Sequence, residues 1–140
     1  LPTGKYGVYK IKSGDYIVCS HFSAENMSYQ ETLFENRVCK PIINLTGADI
    51  IGMKVKAPLS VYDEIYVIPL LTISMTKGTG LVTSVPSDAP DDYMALKDFK
   101  NDEKLREKHN VKLEYIEKFE PVKIINIPDL GDRAAVDLCE

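Results

Sequence analysis

A chain of 140 residues fits one domain, at roughly 100–200 residues per domain, and excludes a multidomain machine. With 44% hydrophobic and 27% charged residues, 8 Gly and 8 Pro, it has the apolar content for a single core, and disordered, collagen-like and low-complexity classes are excluded. Lys and Arg number 17 against 21 Asp and Glu, a net charge of -4, which disfavours a dedicated nucleic-acid binder because phosphate binding draws on clustered cations.

In chain order, residues 6–11 and 16–19 are strand-like runs flanking Lys12, Ser13, Gly14 and Asp15, and predict a hairpin. Ser23 is placed to cap a short helix over residues 24–30 through its hydroxyl. Residues 41–45 read as a strand and 46–52 as a single turn ended by Gly52. Residues 53–57, which alternate apolar and basic, residues 64–68, which are β-branched and aromatic, and residues 70–75 after Pro69 predict further strands of one sheet or barrel. After Gly78, Thr79 and Gly80, residues 81–85 predict a strand stopped by Pro86. Asp88 then offers a helix N-cap, Pro90 suits a first turn, and the acids beyond it complement the positive helix end. The helix spans about residues 90–100, with Tyr93, Leu96 and Phe99 on its apolar face. Residues 102–108 alternate in sign and predict a solvated helical stretch, and residues 123–127 a late strand before Pro128. The fold class is α+β: a mixed or antiparallel, barrel-like sheet with a few short helices.

Cys19, Cys39 and Cys139 are an odd number at wide spacing with no C-x-x-C pair, so a reducing, cytosolic setting is expected and neither a disulfide framework nor a zinc ribbon is indicated. Cys19 and His21 lie two residues apart at the end of a strand-like run, but a metal site needs further clustered ligands and His109 is distant, so no metal site is expected. The chain opens on Leu1, Pro2, Thr3 and Gly4 without a basic, apolar leader, so glycosylation of the Asn26 and Asn44 sequons is not expected. The longest apolar run, residues 65–71, is broken by Pro69 and too short to span a bilayer, so the protein is expected to be soluble with no membrane partner.

No G-x-S-x-G elbow is present, and Lys77, Gly78, Thr79 and Gly80 lack the spacing of a phosphate-binding P-loop. Asp88, Asp91 and Asp92 form an acidic first turn, a common helix-stabilising device that accounts for two of the three. Neighbouring helix positions diverge by about 100°, so one acid caps while another faces a cleft at the sheet edge. A carboxylate there, beside Thr83 and Ser84, suits a ligand ammonium group.

Residues 78–92, GTGLVTSVPSDAPDD, followed by Tyr93, Met94, Ala95, Leu96, Lys97 and Asp98, closely resemble the signature of the inserted editing (connective polypeptide) domain of leucyl-tRNA synthetase. Residues 26–30, 57–73 and 121–136 resemble the same family in the same order, so the likeness covers nearly the whole chain. The Ser-Asp-x-Pro-Asp-Asp form of residues 87–92 is similar to the eukaryotic cytosolic and archaeal branch, where bacterial relatives usually carry a His.

The resemblance implies a cytoplasmic leucine-tRNA ligase whose domain here hydrolyses the ester of mischarged tRNA(Leu), the second sieve needed because one pocket separates aliphatic side chains by only about 1–3 kcal/mol. It implies that Asp92 binds the α-ammonium of the aminoacyl group and fixes the ester for attack by water. It further implies that Thr83, Ser84 and Val85 line the aminoacyl pocket with Asp91 beside them, and that the backbone of Gly78, Thr79 and Gly80 admits the terminal adenosine. No general base is assigned, and a hydroxyl of the substrate's own terminal ribose is a candidate. No cofactor is expected in this domain, ATP and Mg belonging to the synthetic domain of the full enzyme. The partners implied are the 3′ aminoacylated end of tRNA(Leu) and the remainder of the synthetase, the isolated domain being a monomer. The family's threonine-rich segment lies upstream of the first strand, and Leu1, Pro2 and Thr3 do not match it, so the chain reads as a single editing-domain fragment over residues 1–140 lacking that segment. Two other readings stay open: a truncated module that only binds the aminoacyl-adenosine end or small ligands, and a β-rich interaction domain.

Overall fold

Strand β1 (Lys5–Lys10) runs antiparallel to β2 (Tyr16–Ser20), with Tyr6 opposite Ser20 and Lys10 opposite Tyr16. The connection closes through Ile11 N–H to Asp15 O at 2.9 Å, as the turn residues predict. This computed structural model describes the whole chain, Leu1–Glu140, as two units: Leu1–Ile50 with Leu71–Val82, and Ile51–Leu70 with Thr83–Glu140.

In the first unit, helix α1 (His21–Tyr29) starts directly after β2 and is capped by Ser20, whose hydroxyl accepts from Ser23 N–H at 3.1 Å. The expected cap at Ser23 is therefore corrected by three residues. Serine at either position can supply the acceptor, and the one at the strand end wins because its backbone is still extended, as a cap requires. His21 is consequently a helix residue rather than a strand residue, and its Nδ1 lies 2.9 Å from Tyr9 Oη. Strand β3 (Ile43–Thr46) pairs antiparallel with β1, giving the sheet order β2-β1-β3, and the four-residue turn α2 (Gly47–Ile50) follows.

The core of this unit is Tyr9, Cys19, Ala24 and Leu33, with Cys39 packed against it. Burial is the main cause that pushes the Cys19 thiol up to about 11 and the Tyr9 phenol up to about 12, with the neighbouring thiols adding to it. A thiol held that high is protonated at neutral pH and behaves as a small apolar side chain.

In the second unit, β4 (Lys54–Lys56) and β5 (Glu64–Tyr66) form a two-stranded antiparallel sheet with Lys54 opposite Tyr66. Helix α3 (Pro90–Asn101) buries Tyr93, Leu96 and Phe99, the face set by helical spacing. Asp102 ends it and caps α4 (Glu103–His109) by accepting from Leu105 N–H at 3.0 Å, while Arg106 Nη1 donates to the carbonyls of Phe99 and Lys100. Helix α5 (Ala134–Cys139) lies against α3, where Ala135 and Val136 cluster with Tyr93.

The α+β class with antiparallel sheets is borne out, and the strands do not close into a barrel. Residues 70–75 and 81–85 form no strand, and residues 123–127 contribute a single bridge, Ile127 to Gly131. Their β-branched composition suits a sheet, but a strand exists only where another backbone supplies its hydrogen bonds. None does here, so Val82, Ile124 and Ile125 stay more than half exposed. No helix is long and apolar enough to cross a membrane.

Candidate functional site

In the second unit the candidate segment singled out from the sequence runs from Thr83 to the first turn of α3. Pro90 occupies the first helical turn, and Asp91 and Asp92, which follow it, complement the positive helix end as expected. The capping residue itself is Ala89, which offers no side-chain acceptor. The reading of Asp88 as the cap is corrected. Its Oδ2 accepts instead from Ser87 Oγ at 2.6 Å, and its Oδ1 is buried without a partner. Ser87 is fully buried, and its carbonyl accepts from Ala135 N–H at 3.0 Å, so the turn before α3 is held by the C-terminal helix.

Asp92 is half-buried and does two separable things. One carboxylate oxygen, Oδ2, accepts from Val85 N–H at 2.8 Å, folding the 83–85 segment back onto the helix start. The other, Oδ1, has no hydrogen bond within the protein and is not among the buried atoms without a partner. That leaves one accessible carboxylate oxygen on a side chain anchored to the half-buried Val85, with the exposed Thr83 and Ser84 preceding it in the chain, a carboxyl group of the kind that can receive an amine. Asp91 is exposed and makes no hydrogen bond, as befits a solvated first-turn acid.

In the first unit, Gly78, Thr79 and Gly80 form an irregular segment with Gly78 at φ +54° and Gly80 at φ +74°. Its three carbonyls are each held: Gly78 O by Ser23 Oγ, Thr79 O by Ser20 N–H at 2.7 Å, and Gly80 O by Tyr6 Oη at 2.8 Å. Tyr6, Ser20 and Ser23 carry no motif, and sequence patterning missed them because the contacts span 55 to 74 residues. A Cβ on Gly80 meets Tyr6 Cε1 at 3.1 Å and Ser20 Cβ at 3.3 Å, in a left-handed conformation that costs about 1–2 kcal/mol for an L-residue. Gly80→Ala is therefore expected to destabilise the chain by about 2 kcal/mol in urea unfolding, whereas Gly78→Ala, with nothing within 4 Å, costs only the conformational part.

Two hollows lie elsewhere: about 350 Å³ beside Tyr9, Phe34 and Ile42, and about 830 Å³ around the β4–β5 connection. Neither is lined by a residue singled out from the sequence.

No protein-family profile matches the chain. Among curated proteins it is 48% identical over 136 residues to the cytoplasmic leucine–tRNA ligase of Dictyostelium discoideum and 46% identical over 139 residues to that of Arabidopsis thaliana, covering 97% and 99% of this chain and 13% of each ligase. Among solved structures, the crystal structure of GlLeuRS-CP1 shares 46% identity at a TM-score of 0.86, over 99% of this chain and 53% of that one. The editing domain of the Plasmodium falciparum cytosolic leucyl-tRNA synthetase shares 26% identity at a TM-score of 0.82, over 96% of this chain and 50% of that one. The chain thus spans about an eighth of the ligases it matches and about half of the solved editing domains. Sequence and fold agree along almost its entire length, and the chain belongs to the leucyl-tRNA synthetase family, as part of its editing domain.

Proposed function

We propose that this chain is part of the post-transfer proofreading site of a cytoplasmic leucine–tRNA ligase and takes part in hydrolysing the ester of tRNA(Leu) mischarged with an amino acid other than leucine. Water adds to the ester carbonyl, the bond from that carbon to the ribose oxygen breaks, and free amino acid and a tRNA with its terminal hydroxyl restored are released. Asp92 binds the α-ammonium through Oδ1 while Oδ2 stays on Val85 N–H, so the amino acid is oriented by a carboxylate whose own position is fixed. Thr83, Ser84 and Val85 line the aminoacyl group, Asp91 contributes negative potential from the same helix turn, and Gly78, Thr79 and Gly80 receive the terminal adenosine.

The proton from the attacking water passes to a hydroxyl of the substrate's own ribose, since no side chain of the segment is poised as a base. The partners are the 3′ aminoacylated end of tRNA(Leu) and the rest of the synthetase. ATP and Mg serve the synthetic domain of the full ligase and have no part in this step.

The single observation that supports this reading is the divided Asp92 carboxylate, one oxygen structural and one free. Full-length enzyme is expected to release isoleucine from isoleucyl-tRNA(Leu) much faster than leucine from leucyl-tRNA(Leu). Equal, uncatalysed rates for both esters, with the aminoacyl-adenosine end still bound, would make the chain a binding module only.

A further inference from the structure

The backbone of Gly78 and Thr79 is exposed and presents N–H donors, while the carbonyls of Gly78, Thr79 and Gly80 are engaged within the first unit. All three carbonyls are turned into the first unit and occupied, by Ser23 Oγ, Ser20 N–H and Tyr6 Oη. The N–H groups of Gly78 and Thr79 make no hydrogen bond within the protein and both residues are exposed, whereas Gly80 is buried. The clamp is built by the hairpin register and the helix cap together. Tyr6 and Ser20 are directly opposed on β1 and β2, and Ser20, as cap of α1, also donates from its hydroxyl to Ser23 Oγ at 3.0 Å. Tyr6 is buried and Ser23 nearly so, so neither hydroxyl is placed to meet substrate directly.

A nucleotide offers several groups to such a surface. The adenine edge and ribose hydroxyls both donate and accept, whereas a phosphodiester only accepts, which is the complement of a donor-only backbone. Successive N–H groups with left-handed glycines form anion-binding concavities of this kind. The local charge agrees: between Glu64 and Asp88 the chain carries no carboxylate and one cation, the exposed Lys77 adjoining Gly78.

We propose that Tyr6 and Ser23 are positioning residues that pin the Gly78 and Gly80 carbonyls inward so that the exposed N–H groups of Gly78 and Thr79 bind the phosphodiester joining the last two nucleotides of the tRNA. This rests on the proofreading reading above and adds the phosphate contact and the residues that build it.

The test uses full-length synthetase and isoleucyl-tRNA(Leu) carrying either the natural terminal phosphodiester or a methylphosphonate at that linkage, which removes its charge. With unaltered enzyme the methylphosphonate is expected to raise KM about 10-fold with kcat within about twofold, the pattern of a lost binding contact. With Tyr6→Phe, KM for the natural substrate rises about 5-fold and the methylphosphonate adds less than about twofold, because the two changes remove one interaction. Ser23→Ala gives the same non-additive pattern and serves if Tyr6→Phe does not fold.

A methylphosphonate without effect on the unaltered enzyme overturns the phosphate contact. An equal methylphosphonate penalty in unaltered and variant enzymes overturns the positioning role, since a merely structural loss multiplies both substrates alike. Failure of unaltered enzyme to deacylate the natural substrate overturns instead the reading on which the proposal rests.

Discussion

Asp92→Asn in full-length synthetase is expected to lower kcat/KM for deacylation of isoleucyl-tRNA(Leu) by about 100-fold. A hydrogen bond to a charged partner contributes about 1.5–3 kcal/mol, which converts to roughly 10- to 150-fold in rate. The upper part of that range applies because Oδ2 is already held by Val85 N–H at 2.8 Å, so the free oxygen meets the ammonium without first being ordered. Asparagine keeps an acceptor for Val85 N–H, so the fold-back of residues 83–85 is retained. The third helical position loses only a favourable dipole contact of about 0.3–1 kcal/mol. The chain should therefore unfold cooperatively as before while the reaction slows. If Asp92→Asn edits at the unaltered rate and Asp92→Ala does not, the carboxylate acts only as an anchor for Val85, and the ammonium must be bound elsewhere.

How much of this arrangement was legible in the sequence depends on how local each part is. The β1–β2 hairpin, α3 and α4 were readable because a tight turn and an i to i−4 ladder are decided within a few residues. The three failed strands carry the right composition, but composition describes one strand and a ladder needs two. The caps at Ser20 and Ala89 were displaced from the sequence reading because Ser23 and Asp88 each spend their side chains on other partners, Gly78 O and Ser87 Oγ. Asp92 was found through resemblance, since an acidic first turn alone fits any stable helix. Its split hydrogen bonding required coordinates.

The hydroxyl clamp of Tyr6 and Ser23 lay beyond any pattern, joining residues 74 and 55 positions apart. Its existence alters what the net charge of -4 means for a nucleic-acid partner. Backbone N–H groups bind anions without contributing formal charge, so an acidic chain can hold one phosphate where it could not hold a long duplex.

Phe99→Ala is expected to carry the largest stability loss in the chain, about 3–5 kcal/mol, the range for truncating a buried aromatic ring. Phe99 is 3% exposed and shares a cluster with Leu96, Val111 and Ile116, bordered by Ile51, Ile68, Leu105 and Tyr115. These come from α3, from α4 and the segment after it, and from both ends of the β4–β5 hairpin, so the cluster around the ring joins several parts of the second unit. Rigid helices and a hairpin cannot collapse onto the space, and the cavity term is added to the lost transfer energy. Phe99→Leu keeps most of the volume and should cost about 1–1.5 kcal/mol, giving an internal comparison by urea unfolding.

The loss also reaches the reaction, because the carbonyls of Phe99 and Lys100 receive Arg106 Nη1 at the far end of the helix whose first turn carries Asp92. Phe99→Ala enzyme should therefore show a deacylation rate that falls with temperature well before the unaltered enzyme does, and that recovers on cooling. A loss of rate equal at all temperatures, with the unfolding midpoint unmoved, would mean that the ring acts on the site directly and that the core assignment is wrong.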